Sequence, residues 1–211
     1  MTAPALVPWS NGYQYDRFKI EHALGDLWWS PEALAAGDTF PDATLVTPDG
    51  QTVTLREFAN GRPLLLMSGS VTCPMATSAI GPYGELSDRF GGDLAVALID
   101  IREAHPGARR PQPHDMQAKI ANARELLHDN DLRFPVLIDD MQGTVHRAMD
   151  TFANSAYLID GEGKVVFRSL FASDTATLVP AIEALMAGQP APSTSSSAMV
   201  GPIAFGMGYS P

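Results

Sequence analysis

Few side chains in this sequence can react near neutral pH: one cysteine and five histidines in 211 residues. The cysteine stands in "SGSVTCPMAT", residues 68–77, directly before Pro74 and after the apolar run "RPLLLMSG". A lone cysteine is more often a small buried hydrophobe than a nucleophile, so its position has to decide. A continuous apolar run ending in small residues fits a buried strand, and Pro74 suits the first position of a helix. A thiol where a strand hands over to a helix sits among backbone N–H groups at the positive end of the helix dipole. Those groups favour the thiolate, which is the nucleophilic form. Thr72 could add a hydroxyl hydrogen bond to the sulfur.

The elements that must position this thiol follow from the hydrophobic pattern. "ATLVTPDGQTVTL" reads as a β-hairpin turning at Pro48, Asp49 and Gly50, and "AYLIDGEGKVVFRS" as a second one about Asp160 and Gly161. "DLAVALID" and "FPVLID" resemble "RPLLLMSG" in being apolar on both parities, which predicts three central strands with helices on both faces of the sheet. "DMQAKIANARELLHD" carries Met116, Ile120, Ala123 and Leu127 on one stripe and is the clearest helix. The helix after Cys73 is expected to break or kink at Gly81 and Pro82. "TATLVPAIEALMAG" makes a closing helix, with Pro180 in its first turn or at a kink and Gly188 capping it. This order is that of an α/β, thioredoxin-like domain, a central mixed sheet flanked by helices, with an N-terminal hairpin.

The domain is expected to span 39–188. Residues 1–38 read as an N-terminal extension, with Ile20, Ala23, Leu24 and Leu27 at helical spacing and an aromatic density that suits an arm packed on the core or a subunit interface. Residues 189–211 read as a Pro/Ser-rich linker and an apolar tail. Within 199–211, Ile203, Phe205, Met207 and Tyr209 alternate with small residues and could dock on a protein partner.

A single cysteine excludes an internal disulfide framework, a CxxC zinc site and a two-cysteine redox cycle within one subunit, and its natural home is a reducing, cytoplasmic compartment. No stretch reaches the roughly 20 apolar residues of a membrane span, and the first residues do not read as a secretory signal. A formal net charge of -10 argues against nucleic acid or an anionic membrane as partner.

Two segments carry a resemblance to a known family. "SGSVTCPMA" and, after the next strand, "DIREAHPGA" resemble the active-site segments of the iodothyronine deiodinases and their bacterial relatives, within the thioredoxin-like and peroxiredoxin (AhpC/TSA) superfamily. The likeness continues through His114 and "FPVLIDD" and covers roughly residues 39–187. It puts Cys73 where the vertebrate enzymes carry selenocysteine, and Glu103 and His105 at catalytic positions, with Thr72 and His114 as substrate-binding candidates. It implies a thiolate attacking a small, soft electrophile, an imidazole from His105 that manages the proton, and Glu103 orienting or charging that imidazole. With one cysteine, turnover needs an external thiol or a thioredoxin-like donor to reduce the sulfenyl intermediate, and no cofactor. The sequence departs from the vertebrate pattern at Met75, where a second proline is usual, and at Asn154 and Ser155, near which an arginine is usual.

Three function classes stay open. One is a deiodinase-like thiol oxidoreductase acting on a halogenated aromatic or a related electrophile. Another is a one-cysteine peroxidase: Ser70 and Cys73 supply half of the peroxiredoxin motif, with Leu66 at its proline position. The third is a binding module that keeps the fold without the chemistry. A metal site from Cys73, His105 and His114 ranks below these, because no second cysteine is present. His22, His128 and His146 are expected to be structural or exposed, and Met67, Met75, Met116 and Met141 to serve packing. A homodimer is compatible with all of these readings.

Overall fold

The computed structural model describes residues 13–19, 22, 29–30 and 32–192. The expected helix through Ile20, Ala23, Leu24 and Leu27, and the tail 199–211, lie outside the described residues. The chain runs β1 (Thr44–Val46), β2 (Thr52–Thr54), α1 (Leu55–Ala59), β3 (Leu64–Gly69), α2 (Pro74–Phe90) and β4 (Ala95–Asp100). It continues through α3 (Met116–Asp129), β5 (Val136–Ile138), α4 (Thr144–Ala148), β6 (Ala156–Ile159), β7 (Val165–Ser169) and α5 (Thr175–Met186). The strands form one sheet in the order β2-β1-β5-β4-β3-β6-β7. β3, β4 and β5 are parallel, and the flanking pairs are antiparallel.

Every residue of β3, β4 and β5 is buried, because each parity meets a different helical layer. Leu65, Met67, Val96 and Leu98 pack with α2, α3 and α5, in the core that also holds Cys73. Leu64, Leu66, Ala97 and Ile99 pack with α1 and α4 on the other face. Both expected hairpins form, the first turning at Gly50 with φ +89° and the second at Gly163 with φ +88°. Gly188 takes φ +65° after α5, where its N–H reaches Leu185 O and that of Gln189 reaches Ala184 O, the paired bonds of a Schellman cap. Pro180 lies beyond the first turn, inside that helix.

Helix α2 runs unbroken from Pro74 to Phe90, with Pro82 inside it. The expected break is absent because the stripe Ala76, Ala79, Ile80, Tyr83 and Leu86 is buried continuously on both sides of the proline. An interior proline costs about 3 kcal/mol. Burying side chains the size of Ile80 and Leu86 contributes about 1.5–3 kcal/mol each, enough to carry the helix through.

The N-terminal segment 13–19 crosses the end of the sheet where β4 and β5 finish. Tyr13 is buried; its hydroxyl lies 2.8 Å from His146 Nδ1, and His146 Nε2 lies 2.9 Å from Phe152 O. A carbonyl only accepts, so Nε2 carries the imidazole proton and Nδ1 accepts from Tyr13. Gly143 leaves room for the ring, since a Cβ there would fall 2.1 Å from Tyr13 Cζ. Arg102 donates to Tyr13 O and lies over the rings of Tyr13 and Tyr15, which fastens the segment to the loop after β4.

Burial, reinforced by the Arg102 cation, holds the His146 pKa well below its ordinary value. Its contribution to stability is therefore full above the unfolded-state pKa of about 6.5 and is lost as pH falls below it, where only the unfolded chain takes the proton. Asp100 and Asp139 are shifted upward by burial, so their contribution is full at low pH and is lost as pH rises through their folded pKa values, the opposite sign. Because the two carboxylates are common to both proteins, we predict that lowering the pH from 7.5 to 5.5 costs the wild type more melting temperature than it costs His146→Gln. Equal slopes in the two proteins would remove His146 as the cause.

Candidate active site

Cys73 is 2% exposed and occupies the N-cap of α2, with φ -96° and ψ 105°. Its N–H donates to Ser70 O at 3.1 Å, closing a turn after β3, and its carbonyl accepts from Thr77 N at 3.1 Å, opening the helix. Pro74 fills the first helical position, where a missing N–H costs nothing. Gly69 lets the helix come down on the sheet, for a Cβ there would lie 2.9 Å from Ala76 Cβ.

The loop after β4 brings Glu103 and His105 to the residue preceding the thiol. Glu103 is 1% exposed, and its Oε2 accepts from Thr72 N at 3.1 Å and from Thr72 Oγ1 at 2.6 Å, while Oε1 accepts from Asn122 Nδ2 at 2.7 Å. Gln112 closes the loop on itself, accepting from Glu103 N at 3.0 Å and donating to Glu103 O at 2.7 Å. The His105 N–H donates to Thr72 Oγ1 at 3.0 Å, and His105 Nδ1 lies 3.0 Å from Thr72 O. Since that carbonyl only accepts, Nδ1 carries a proton, and in the neutral ring Nε2 holds the lone pair. Ala104 N donates to Ser70 Oγ at 3.1 Å, a second tie between the two loops.

Two expectations change. Thr72 has one hydroxyl proton and gives it to Glu103, so the hydroxyl is not a donor to the sulfur. The Glu103 carboxylate holds Thr72, and through it the backbone and ring of His105, instead of meeting the imidazole directly. His114 lies on the surface, 3.3 Å from the carboxylate of Asp115, which caps α3. His128 is exposed beside Asp129. Among the described residues no group of three or more His, Cys, Asp or Glu could hold a metal ion.

Several residues at the site carried no signal in the hydrophobic pattern. The buried residues of α3 are Lys119, Ala123 and Leu126, at i, i+4 and i+7, with the half-buried Asn122 beside them, so two polar side chains turn inward on this helix. Lys119 Nζ donates to Asp139 O at 2.8 Å, at the end of β5. Asp100, the last residue of β4, is fully buried; burial raises its pKa well above the carboxylate range, with Lys119 pulling the other way and Glu103 and Asp139 adding to the rise. Tyr15 donates to Ala104 O at 2.8 Å, and the Phe18 ring lies 4.4 Å from that of His105. The N-terminal arm thus lies over the histidine loop. A cavity of about 290 Å³ between Phe40, Leu55, Leu64 and Ile159 lies at the opposite edge of the sheet, where β3 begins, and does not include Cys73.

This sheet, with a thiol at the N-terminus of the helix that follows its central strand, defines a protein of the thioredoxin-like fold. A protein from Chlorobium tepidum assigned as the thiol:disulfide interchange protein DsbE matches it with a TM-score of 0.52 at 20% identity, over 64% of this chain and 85% of that one. The iodothyronine deiodinase family model matches residues 29–170, and the chain belongs to that family. It is 23% identical over 168 residues to the type I iodothyronine deiodinase of Xenopus laevis, covering 74% of this chain and 66% of that protein. It is 25% identical over 169 residues to the thyroxine 5-deiodinase of Ovis aries, covering 75% and 53%. The chain therefore spans about half to two thirds of the length of these relatives. Among the described residues no helix is long and apolar enough to cross a membrane.

Thr72→Val removes the hydroxyl shared by Glu103 and His105 and leaves a buried carboxylate short of a donor. Urea unfolding should show a loss of about 1.5–3 kcal/mol, with Thr72→Ser close to wild type. Gly69→Ala should cost about 1–3 kcal/mol by forcing α2 away from the sheet. Unchanged midpoints in Thr72→Val or Gly69→Ala would contradict the corresponding contact.

Proposed function

We propose that this protein is a thiol-dependent reductive dehalogenase, in which Cys73 is the nucleophile and His105 the proton donor. The observation that carries the reading is the brace from Glu103 through Thr72, which ties a solvent-facing imidazole to the residue next to the thiol. Membership of the iodothyronine deiodinase family supports it, and thyroxine is a substrate named for its relatives. The substrate class we assign to this chain is a small iodinated aromatic.

In the reaction, the Cys73 thiolate attacks iodine, the S–I bond forms and the C–I bond breaks. The carbon keeps the electron pair of that bond and takes a proton from the His105 imidazolium, giving the dehalogenated ring and a sulfenyl iodide. One external thiol displaces iodide to form a mixed disulfide and releases a proton. A second thiol regenerates Cys73, so two reductant thiols become one disulfide per iodide released. His105, which faces water, recovers its proton from solvent. The reductant is a small thiol or a thioredoxin-like donor.

The test is iodide release from an iodophenol with dithiothreitol as reductant. Cys73→Ser should abolish it, and His105→Ala should lower kcat by about 10²–10⁴-fold, the usual worth of a positioned proton donor. Iodide release that survives Cys73→Ser would refute the proposal. Rapid Cys73-dependent turnover of hydroperoxide without iodide release would replace it with the peroxidase reading.

A further inference from the structure

Asn154 sits just before β6 and is 5% exposed, yet neither its side-chain Oδ1 nor its Nδ2 has a hydrogen-bond partner. A buried amide with both ends unpaired is costly, on the order of 1–3 kcal/mol for each unsatisfied group in mutational data. Its place in the fold explains why such a group would be kept. β6 pairs antiparallel with β3, Ala156 opposite Met67, and the ladder continues through the bond from Ser68 N to Ser155 O. That register brings Asn154 to the end of β3, the edge from which the chain turns into Cys73.

The neighbours of Asn154 fix which side of the sheet it belongs to. Ser155 turns to the far face, where its Oγ lies 3.3 Å from Ser68 Oγ. Ala153 and Ala172 pack into the core cluster that contains Cys73, and Ala172 N donates to Asn154 O at 3.1 Å. Continued by one residue, the register sets Asn154 opposite Gly69, whose Cβ position faces Ala76 of α2, so Asn154 and the N-terminus of α2, a helix of 17 residues whose N-cap is Cys73, lie at one edge of the sheet. The helix terminus supplies N–H groups, and the amide supplies one donor and one acceptor.

We infer that Asn154 is a substrate-binding, specificity-determining residue, whose amide pairs with a hydroxyl group carried by the electrophile that Cys73 attacks. A hydroxyl both donates and accepts from one atom, so it can satisfy either end of the amide, or both through a small shift. An ether or bare hydrocarbon at that place leaves the Oδ1 acceptor unpaired. Sites built to hydrogen-bond a substrate hydroxyl reject the analogue that lacks the proton. The identity of the electrophile rests on the dehalogenase reading above; the binding role of Asn154 does not require turnover.

The experiment compares 2-iodophenol with its methyl ether, 2-iodoanisole, as ligands of the Cys73→Ser chain, with dissociation constants measured by ligand-observed NMR. We expect the phenol to bind about tenfold or more tightly than the ether. The preference should vanish in Cys73→Ser chains that also carry Asn154→Ala or Asn154→Leu, while their melting temperatures hold or rise, because no orphaned amide remains buried. Equal affinities with Asn154 present, binding of neither ligand, a preference that outlives both substitutions, or a marked fall in melting temperature in both would each overturn the assignment. Asn154-dependent phenol binding without iodide release from the wild type would remove the dehalogenase reading and leave this one standing. Iodide release with binding indifferent to Asn154 would do the reverse.

Discussion

The Glu103 carboxylate is the constraint on which the site depends. It is buried near the start of the loop that follows β4, and all three of its partners donate to it: the N–H and hydroxyl of Thr72 and the amide of Asn122. Those bonds join three elements that the sheet alone would only leave near one another, the turn before Cys73, the loop carrying His105 and helix α3. A carboxylate stripped of water and given fewer donors would be strongly unfavourable, so the network holds as a unit. The thiol loop cannot move without unmaking the bonds that also seat His105.

The rest of the fold serves this junction. Parallel β3 and β4 end side by side, Gly69 opposite Asp100, so the loops that leave them begin as neighbours. Gly69 admits Ala76 and sets the height of α2 above the sheet, and the burial of α2 on both sides of Pro82 keeps its N-terminus in place. From outside, Tyr13, Tyr15 and Phe18 bind the same loop through Arg102, Ala104 and His105. Buried polar groups collect at this end of the sheet: Asp100, Glu103, Lys119, Asp139 and Asn154 all lie there. Such groups oppose stability wherever they are incompletely paired, which is the expected signature of an edge kept for chemistry.

The sheet was legible because burial on both faces leaves continuous apolar runs, as in "LLLMSG" and "AVALID", and because Gly50 and the Asp160–Gly163 turn mark the hairpins. Cys73 and the loop of Glu103 and His105 were legible from their segments. Their connection was not, since it runs through a threonine hydroxyl whose single proton had two possible recipients. Asn122 and Lys119 were hidden because polar residues on the inner stripe of α3 look like a solvated face to any reading based on hydrophobic spacing. Asn154 had only its departure from the vertebrate pattern to mark it. The break that Pro82 suggested does not occur because propensity is local, whereas the helix through it is held by tertiary burial.

The central claim is that Glu103 acts on the thiol's chemistry through Thr72 by seating His105. A double-mutant cycle on the rate of Cys73 alkylation by iodoacetamide tests it most directly, with wild type, Glu103→Gln, His105→Ala and the double variant compared at one pH. The account predicts strong non-additivity: once Glu103 is replaced, removing the imidazole changes the rate little further. Effects that multiply independently, the double variant losing the product of both single losses, would contradict it.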